Sequence, residues 1–142
     1  MPMLTDEQRT ALEQAAKDAA GRSYAPYSRF PVGAAVLCAT GKIYAGCNVE
    51  NASFGLTLCA ERAAVAQAVA AGERELTAVA IYTPTAVPTP PCGACRQVLA
   101  EFGPEALVLC LCAGGERLET RLSALLPSLF TPQKNLHGGD AS

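Results

Sequence analysis

The chain has 142 residues, half of them hydrophobic and 17% charged, with a formal net charge of −2. That length suits one domain burying roughly two thirds of its unfolded surface, and scattered lysines and arginines lack the basic stripe that nucleic-acid binding needs. Seven cysteines is an odd number, the start at 1–7 is neither basic nor apolar, and no apolar run approaches the roughly 20 residues of a membrane span. The expectation is a soluble cytoplasmic protein with reduced thiols and a small-molecule ligand, with no nucleic acid and no membrane as partner.

In chain order, Thr5 and Gln8 make a capping box ahead of Leu12, Ala15, Ala16 and Ala19, which predicts a helix from about Thr5 to Ala20, ended by Gly21. Two strands follow, about Val32 to Ala39 and Lys42 to Val49, with Thr40-Gly41 as the tight turn of a hairpin. Residues 62–69 are strongly helix-forming and stop near Ala71-Gly72. Then come a strand near Thr77 to Tyr82, a proline-stiffened loop from Thr83 to Pro91, a helix opened by Cys92 and running to Phe102, a strand near Ala106 to Cys112, and a last short helix around Leu118 to Leu126. Strands alternating with helices imply parallel pairing behind a hairpin edge. The expected fold class is α/β: four of these segments read as strands of a mixed sheet with helices packed on its faces. The domain is expected to span 1–132, with 133–142 as a flexible C-terminal tail.

The chemistry is concentrated in Cys59-Ala60-Glu61 and Pro91-Cys92-Gly93-Ala94-Cys95. Cys92 and Cys95 have the spacing that lets two thiolates reach one ion, and Cys59 is the natural third ligand. Structural zinc sites usually close with four protein ligands, whereas catalytic ones use three and leave a position to water. The one histidine, His137, falls in the tail segment and does not compete. Residues two apart on a helix point roughly 200° away from each other, so Cys59 and Glu61 can share a site only if they straddle a helix start. Three thiolates on a dication leave one surplus negative charge. Two helix N-termini offset it in part, and Arg62 and Arg96 are placed to donate to cysteine sulfurs. Glu61 is the candidate proton carrier beside the metal. A redox pair or a closed zinc knot at Cys92 and Cys95 is the non-enzymatic alternative, although a closed knot has no use for the acid. Cys38, Cys47, Cys110 and Cys112 lie in or beside predicted strands and read mostly as core residues, with a second metal pair from Cys110 and Cys112 as the rival reading.

The chain resembles the small, homotetrameric cytidine deaminase family from Ser23 to Phe130. The resemblance is carried by the two cysteine motifs, by 24–35 (YAPYSRFPVGAA), by 46–52 (GCNVENA) and by Leu125-Leu126-Pro127. It implies a single-domain three-layer α/β/α arrangement with a mixed five-stranded sheet (N-terminal hairpin plus parallel strands) and helices on both faces. The same likeness implies zinc-dependent hydrolysis at C4 of cytidine and 2′-deoxycytidine, yielding the uracil nucleoside and ammonia, with one Zn2+ per chain on Cys59, Cys92 and Cys95 and Glu61 as acid and base. It also implies that the backbone N–H of Ala60 meets the pyrimidine O2, that Asn48 and Glu50 hold the ribose hydroxyls, and that Phe30 and Ala52 border the substrate. Phe130 would be lent across a subunit boundary in a homotetramer whose active sites neighbouring subunits complete. The family pattern has tyrosine where this chain has Phe54, so one hydroxyl contact, worth about 0.5–1.5 kcal/mol, is absent there. The related blasticidin deaminases share the zinc motif, but the Asn48-Val49-Glu50-Asn51 segment suits a ribose.

Overall fold

The computed structural model describes residues 4–132. Helix α1, Asp6–Ala20, starts as expected: Thr5 Oγ1 accepts from the Gln8 backbone N–H at 3.0 Å while the Gln8 side chain accepts from Thr5 N at 3.1 Å. Strand β1, Gly33–Cys38, turns back through Gly41, whose φ of +90° lies in the left-handed region, into β2, Ile43–Cys47. A short 3-10 turn at Phe54–Leu56 leads to α2, Ala60–Ala70. Strand β3, Leu76–Thr83, helix α3, Gly93–Phe102, and strand β4, Leu107–Cys112, complete the region around the cysteines.

The five-stranded sheet has the order β2-β1-β3-β4-β5. Only β3 and β4 run parallel; β1 pairs antiparallel with both β2 and β3. The segment expected as a last helix over 118–126 divides. Leu118–Arg121 forms strand β5, antiparallel to β4, and only Leu122–Leu125 is helical, as α4. The open edge of β4 supplies the reason, because its unpaired backbone groups are satisfied by a fifth strand. Arg9 with Glu119 and Arg117 with Glu13 then tie that strand to α1 through ion pairs.

Along β1, Ala34, Val36 and Cys38 face one side and Ala35 and Leu37 the other, all buried, as in a strand covered on both faces. Leu12 and Ala16 of α1 cover Ala35, Leu37, Ala80 and Leu109. On the opposite face Ala64, Val65 and Ala68 of α2 and Leu99 of α3 cover Val36, Val79, Ile81 and Val108. Helix α2 lies close on β2, because Gly46 has no side chain: a Cβ there would stand 2.4 Å from Ala64 N and 2.8 Å from Ala60 O. The three layers thus set the N-termini of α2 and α3 side by side. Among the described residues no helix is long and apolar enough to cross a membrane. His137 and the tail expected at 133–142 lie outside the described residues.

Candidate active site

Cys59 is the N-cap of α2 and Cys92 the N-cap of α3, both in extended backbone conformation, with Cys95 inside the first turn of α3. This is the helix-start geometry that the spacing of Cys59 and Glu61 requires. The three sulfurs all lie within 4.8 Å of one another, and Cys92 Sγ stands 3.3 Å from Cys95 Sγ. Sulfurs about 2.3 Å from a tetrahedral zinc stand roughly 3.8 Å apart, so the set fits one ion after small side-chain adjustment. Among the described residues this is the one cluster of metal-ligating side chains. Cys112 instead directs its thiol at the carbonyls of Ala86, Gly114 and Glu116. Cys38 and Cys110 are buried, and burial first, with Glu73 and Glu61 respectively, pushes their thiols up to about 11 and about 12.

The metal-binding cysteines differ in their electrostatics. Burial opposes ionisation of Cys92, but the Cys95 backbone N–H and the neighbouring thiols outweigh it and hold its pKa below the ordinary value. Cys95, fully buried, is pushed up by burial and by the Glu61 charge. A bound cation would compensate the concentration of negative charge at these three sulfurs. Arg62 supplies part of that compensation: its Nη2 donates to Cys59 Sγ at 3.3 Å and to Thr57 O at 3.4 Å. Its Nε is buried without a partner among the described residues. Arg96 points elsewhere. Its Nε donates to Pro91 O at 2.8 Å and its Nη1 to Leu125 O at 2.9 Å, bracing the segment before Cys92 against the C-terminal turn instead of reaching a sulfur.

Glu61, only 5% exposed, borders a cavity of about 420 Å³ together with Cys59, Ala60 and Cys92. Burial raises its pKa against the opposing influence of its own backbone N–H and the Arg62 charge. Asn48, Glu50 and Phe30 border the same cavity. Asn48 bridges two backbone groups, accepting from Val32 N at 2.9 Å and donating to Phe30 O at 2.8 Å. Glu50 accepts from the backbone N–H groups of Tyr27 and Ser28 at 2.9 and 3.1 Å and from the Ser28 hydroxyl. The Ser28 hydroxyl, against burial and with those N–H groups, holds the Glu50 carboxyl below its usual range.

Phe54 borders a smaller adjoining cleft of about 240 Å³, where its ring meets Tyr27 edge-on at 5.7 Å. Ala52 and Phe130 are exposed and do not line either space, although Gln97 Nε2 donates to Phe130 O at 3.3 Å. Ser28, Thr57, Ile81 and Thr89 line the main cavity without having been singled out from the sequence. Ser28 had a signal, since it lies inside the 24–35 segment that carries the resemblance. Thr89 had none.

Comparison with known proteins agrees with this geometry. Residues 6–111 match the family described as cytidine and deoxycytidylate deaminase zinc-binding region. The chain is 48% identical over 112 residues to a cytidine deaminase of Halalkalibacterium halodurans, covering 78% of this chain and 85% of that one. It is 46% identical over 118 residues to a cytidine deaminase of Sporosarcina psychrophila, covering 82% and 87%. Among solved structures, a cytidine deaminase from Burkholderia pseudomallei superposes with a TM-score of 0.82 at 47% identity, covering 89% of this chain and all of that one. One from Mycobacterium tuberculosis gives a TM-score of 0.76 at 43% identity, covering 90% and 99%. A matched family over most of the length, three sulfurs at two helix starts and a buried acid beside them lead to one conclusion: the chain belongs to the cytidine and deoxycytidylate deaminase zinc-binding family.

Proposed function

We propose that this protein hydrolyses the C4 amino group of cytidine and 2′-deoxycytidine, giving uridine or 2′-deoxyuridine and ammonia. The observation that carries the reading is Glu61: a buried carboxylate whose pKa is raised by burial, beside three clustered sulfurs, in a cavity that Asn48 and Glu50 also line. Cys59, Cys92 and Cys95 would hold one zinc ion per chain, which would supply a water nucleophilic near neutral pH.

Glu61 takes a proton from the attacking water and gives it to ring N3 as the C4–O bond forms. It then takes the proton left on that oxygen and gives it to the amine, so that the C4–N bond breaks and ammonia leaves. Burial favours the protonated form that this second transfer needs. The Ala60 N–H, in the first turn of α2, has no helical acceptor and donates to the pyrimidine O2. Asn48 keeps one amide hydrogen beyond its two backbone bonds, and Glu50 keeps unused lone pairs, which together suit a diol that both donates and accepts. Phe30 closes one side of the base, and Arg62 restrains Cys59.

The exposed Phe54, Leu56 and Phe130 support a homotetramer in which neighbouring chains complete each site, with Phe130 lent across the boundary and Ala52 and Phe54 on the shared rim. Residues 1–132 form the working domain of a cytoplasmic enzyme of pyrimidine salvage. The test is to follow loss of cytosine absorbance with cytidine and deoxycytidine while measuring zinc and mass on the same sample. Turnover with one zinc per chain and a four-chain mass is expected. Zinc-loaded protein that leaves both nucleosides intact overturns the reading.

A further inference from the structure

A line of three threonine hydroxyls runs from the cavity wall into the loop that precedes Cys92. Thr89, which lines the cavity beside Pro90 and Cys92, has its Oγ1 3.4 Å from that of Thr83, which is wholly buried. Thr83 Oγ1 lies 2.7 Å from Thr85 Oγ1, and Thr85 Oγ1 donates to Val87 O at 2.7 Å. The loop is anchored from outside, because Thr85 O accepts from Ala113 N at 3.0 Å and Gly114 N at 3.3 Å, and the Cys112 thiol donates to Ala86 O.

Each hydroxyl has one proton and two lone pairs, and that count sets the direction of the whole line. The Thr85 proton is committed to a carbonyl, which can only accept. Thr83 therefore donates to Thr85, and with its proton spent it can only accept from Thr89. By that count the Thr89 proton goes to Thr83, 3.4 Å away, and only lone pairs remain on its hydroxyl. Thr89 on this wall is thus an acceptor and not a donor.

The geometry points to Thr89 as a specificity-determining residue for the amino group of the substrate, held in its acceptor state by Thr83 and Thr85 as positioning residues. The inference rests on the deaminase reading, which brings C4 to the sulfur cluster and so to the Cys92 wall. An exocyclic amine donates two N–H bonds and is welcomed by an acceptor; the carbonyl that replaces it in the product brings only lone pairs and is not. The wall therefore favours substrate over product.

The test compares, in the zinc-loaded enzyme, KM for cytidine with the inhibition constant of uridine. Thr89→Val, of nearly the same shape, should raise KM roughly two- to tenfold, the value of one hydrogen bond, and leave uridine binding unchanged or tighter, so that the ratio of uridine constant to KM falls. Thr83→Val frees the Thr89 proton to donate, so uridine should bind more tightly, while Thr83→Ser should keep the wild-type ratio. A ratio unmoved in both valine variants, or two constants that move together as a merely structural lesion would make them, overturns the inference. Should Thr89→Val not fold, the Thr83 pair decides alone. Wild-type enzyme that leaves cytidine intact sinks the deaminase reading first, and this inference with it.

Discussion

Helix α2 has a buried glutamate near each end, and their surroundings are opposite. Glu61, in the first turn, faces the cavity; among the described residues no other side chain donates to it, and burial raises its pKa. Glu73, just past the last turn and 7% exposed, accepts from Thr40 Oγ1 at 2.9 and 3.0 Å and from Tyr44 OH at 3.1 Å. A buried carboxylate whose acceptors are filled costs little and holds structure together. One left unfilled beside a cavity is poised to exchange protons. Burial alone does not separate a working acid from a structural one; the donors around it do.

The contrast breaks most decisively at Glu61. Glu61→Gln should cut cytidine turnover by roughly 10²–10⁴-fold, the usual worth of a general acid and base, with zinc per chain unchanged. A variant turning over at the wild-type rate removes Glu61 from the chemistry. Next in size, Arg62→Met keeps the side-chain stem but removes the donor to Cys59, and zinc affinity measured against a competing chelator should fall roughly 10–100-fold. Equal affinity would show that the contact at 3.3 Å is idle.

At the other end of α2 the expected loss is of stability. Glu73→Leu removes the carboxylate oxygen to which both Thr40 and Tyr44 donate and leaves their hydroxyls without that acceptor, so urea unfolding should show a deficit of about 1–3 kcal/mol. Its kcat should stay within about twofold, since no reacting group is touched. Lost turnover in a folded Glu73 variant would erase the distinction between the two acids.

Glu50 sharpens the comparison as an intermediate case, lining the cavity yet already satisfied by Ser28 and Tyr27. Its carboxyl is held below the usual range, so its stabilisation is present above the unfolded-state value, about 4.3, and is lost as pH falls through the lower folded value. Ser28→Ala should weaken that dependence, seen as a flatter acid limb when the urea midpoint is followed below about pH 4.3. An unchanged limb would mean that Ser28 does not govern the Glu50 proton.

The helix starts were legible because they follow from a constraint internal to a few residues: Cys59 and Glu61 cannot share a pocket from mid-helix, and they do not. The hairpin was legible for the same reason, with Thr40-Gly41 between two apolar runs. Strand β5 was not. Leu118-Glu119-Thr120-Arg121 is too short and too exposed to carry a periodicity, and it is extended because β4 offers an edge, a fact held by another part of the chain. The Arg96 expectation failed similarly, since Leu125 O competes for its guanidinium from a distant turn. Ser28 on Glu50 and the three threonines are side-chain bonds whose partners only the folded backbone brings together.

The tight backbone contact at Gly46 gives the site a weakness far from its chemistry. Any substituent there must push α2 away from β2, and α2 carries Cys59 while the other two sulfurs ride on α3, which the Gly46 Cβ would not meet. A Gly46→Ala chain that still folds should therefore hold two sulfurs in register and the third out of it. Such a variant would be a conditional mutant, inactive when zinc is scarce and restored by adding the metal, so that a lesion in packing would be mistaken for a failure of zinc supply.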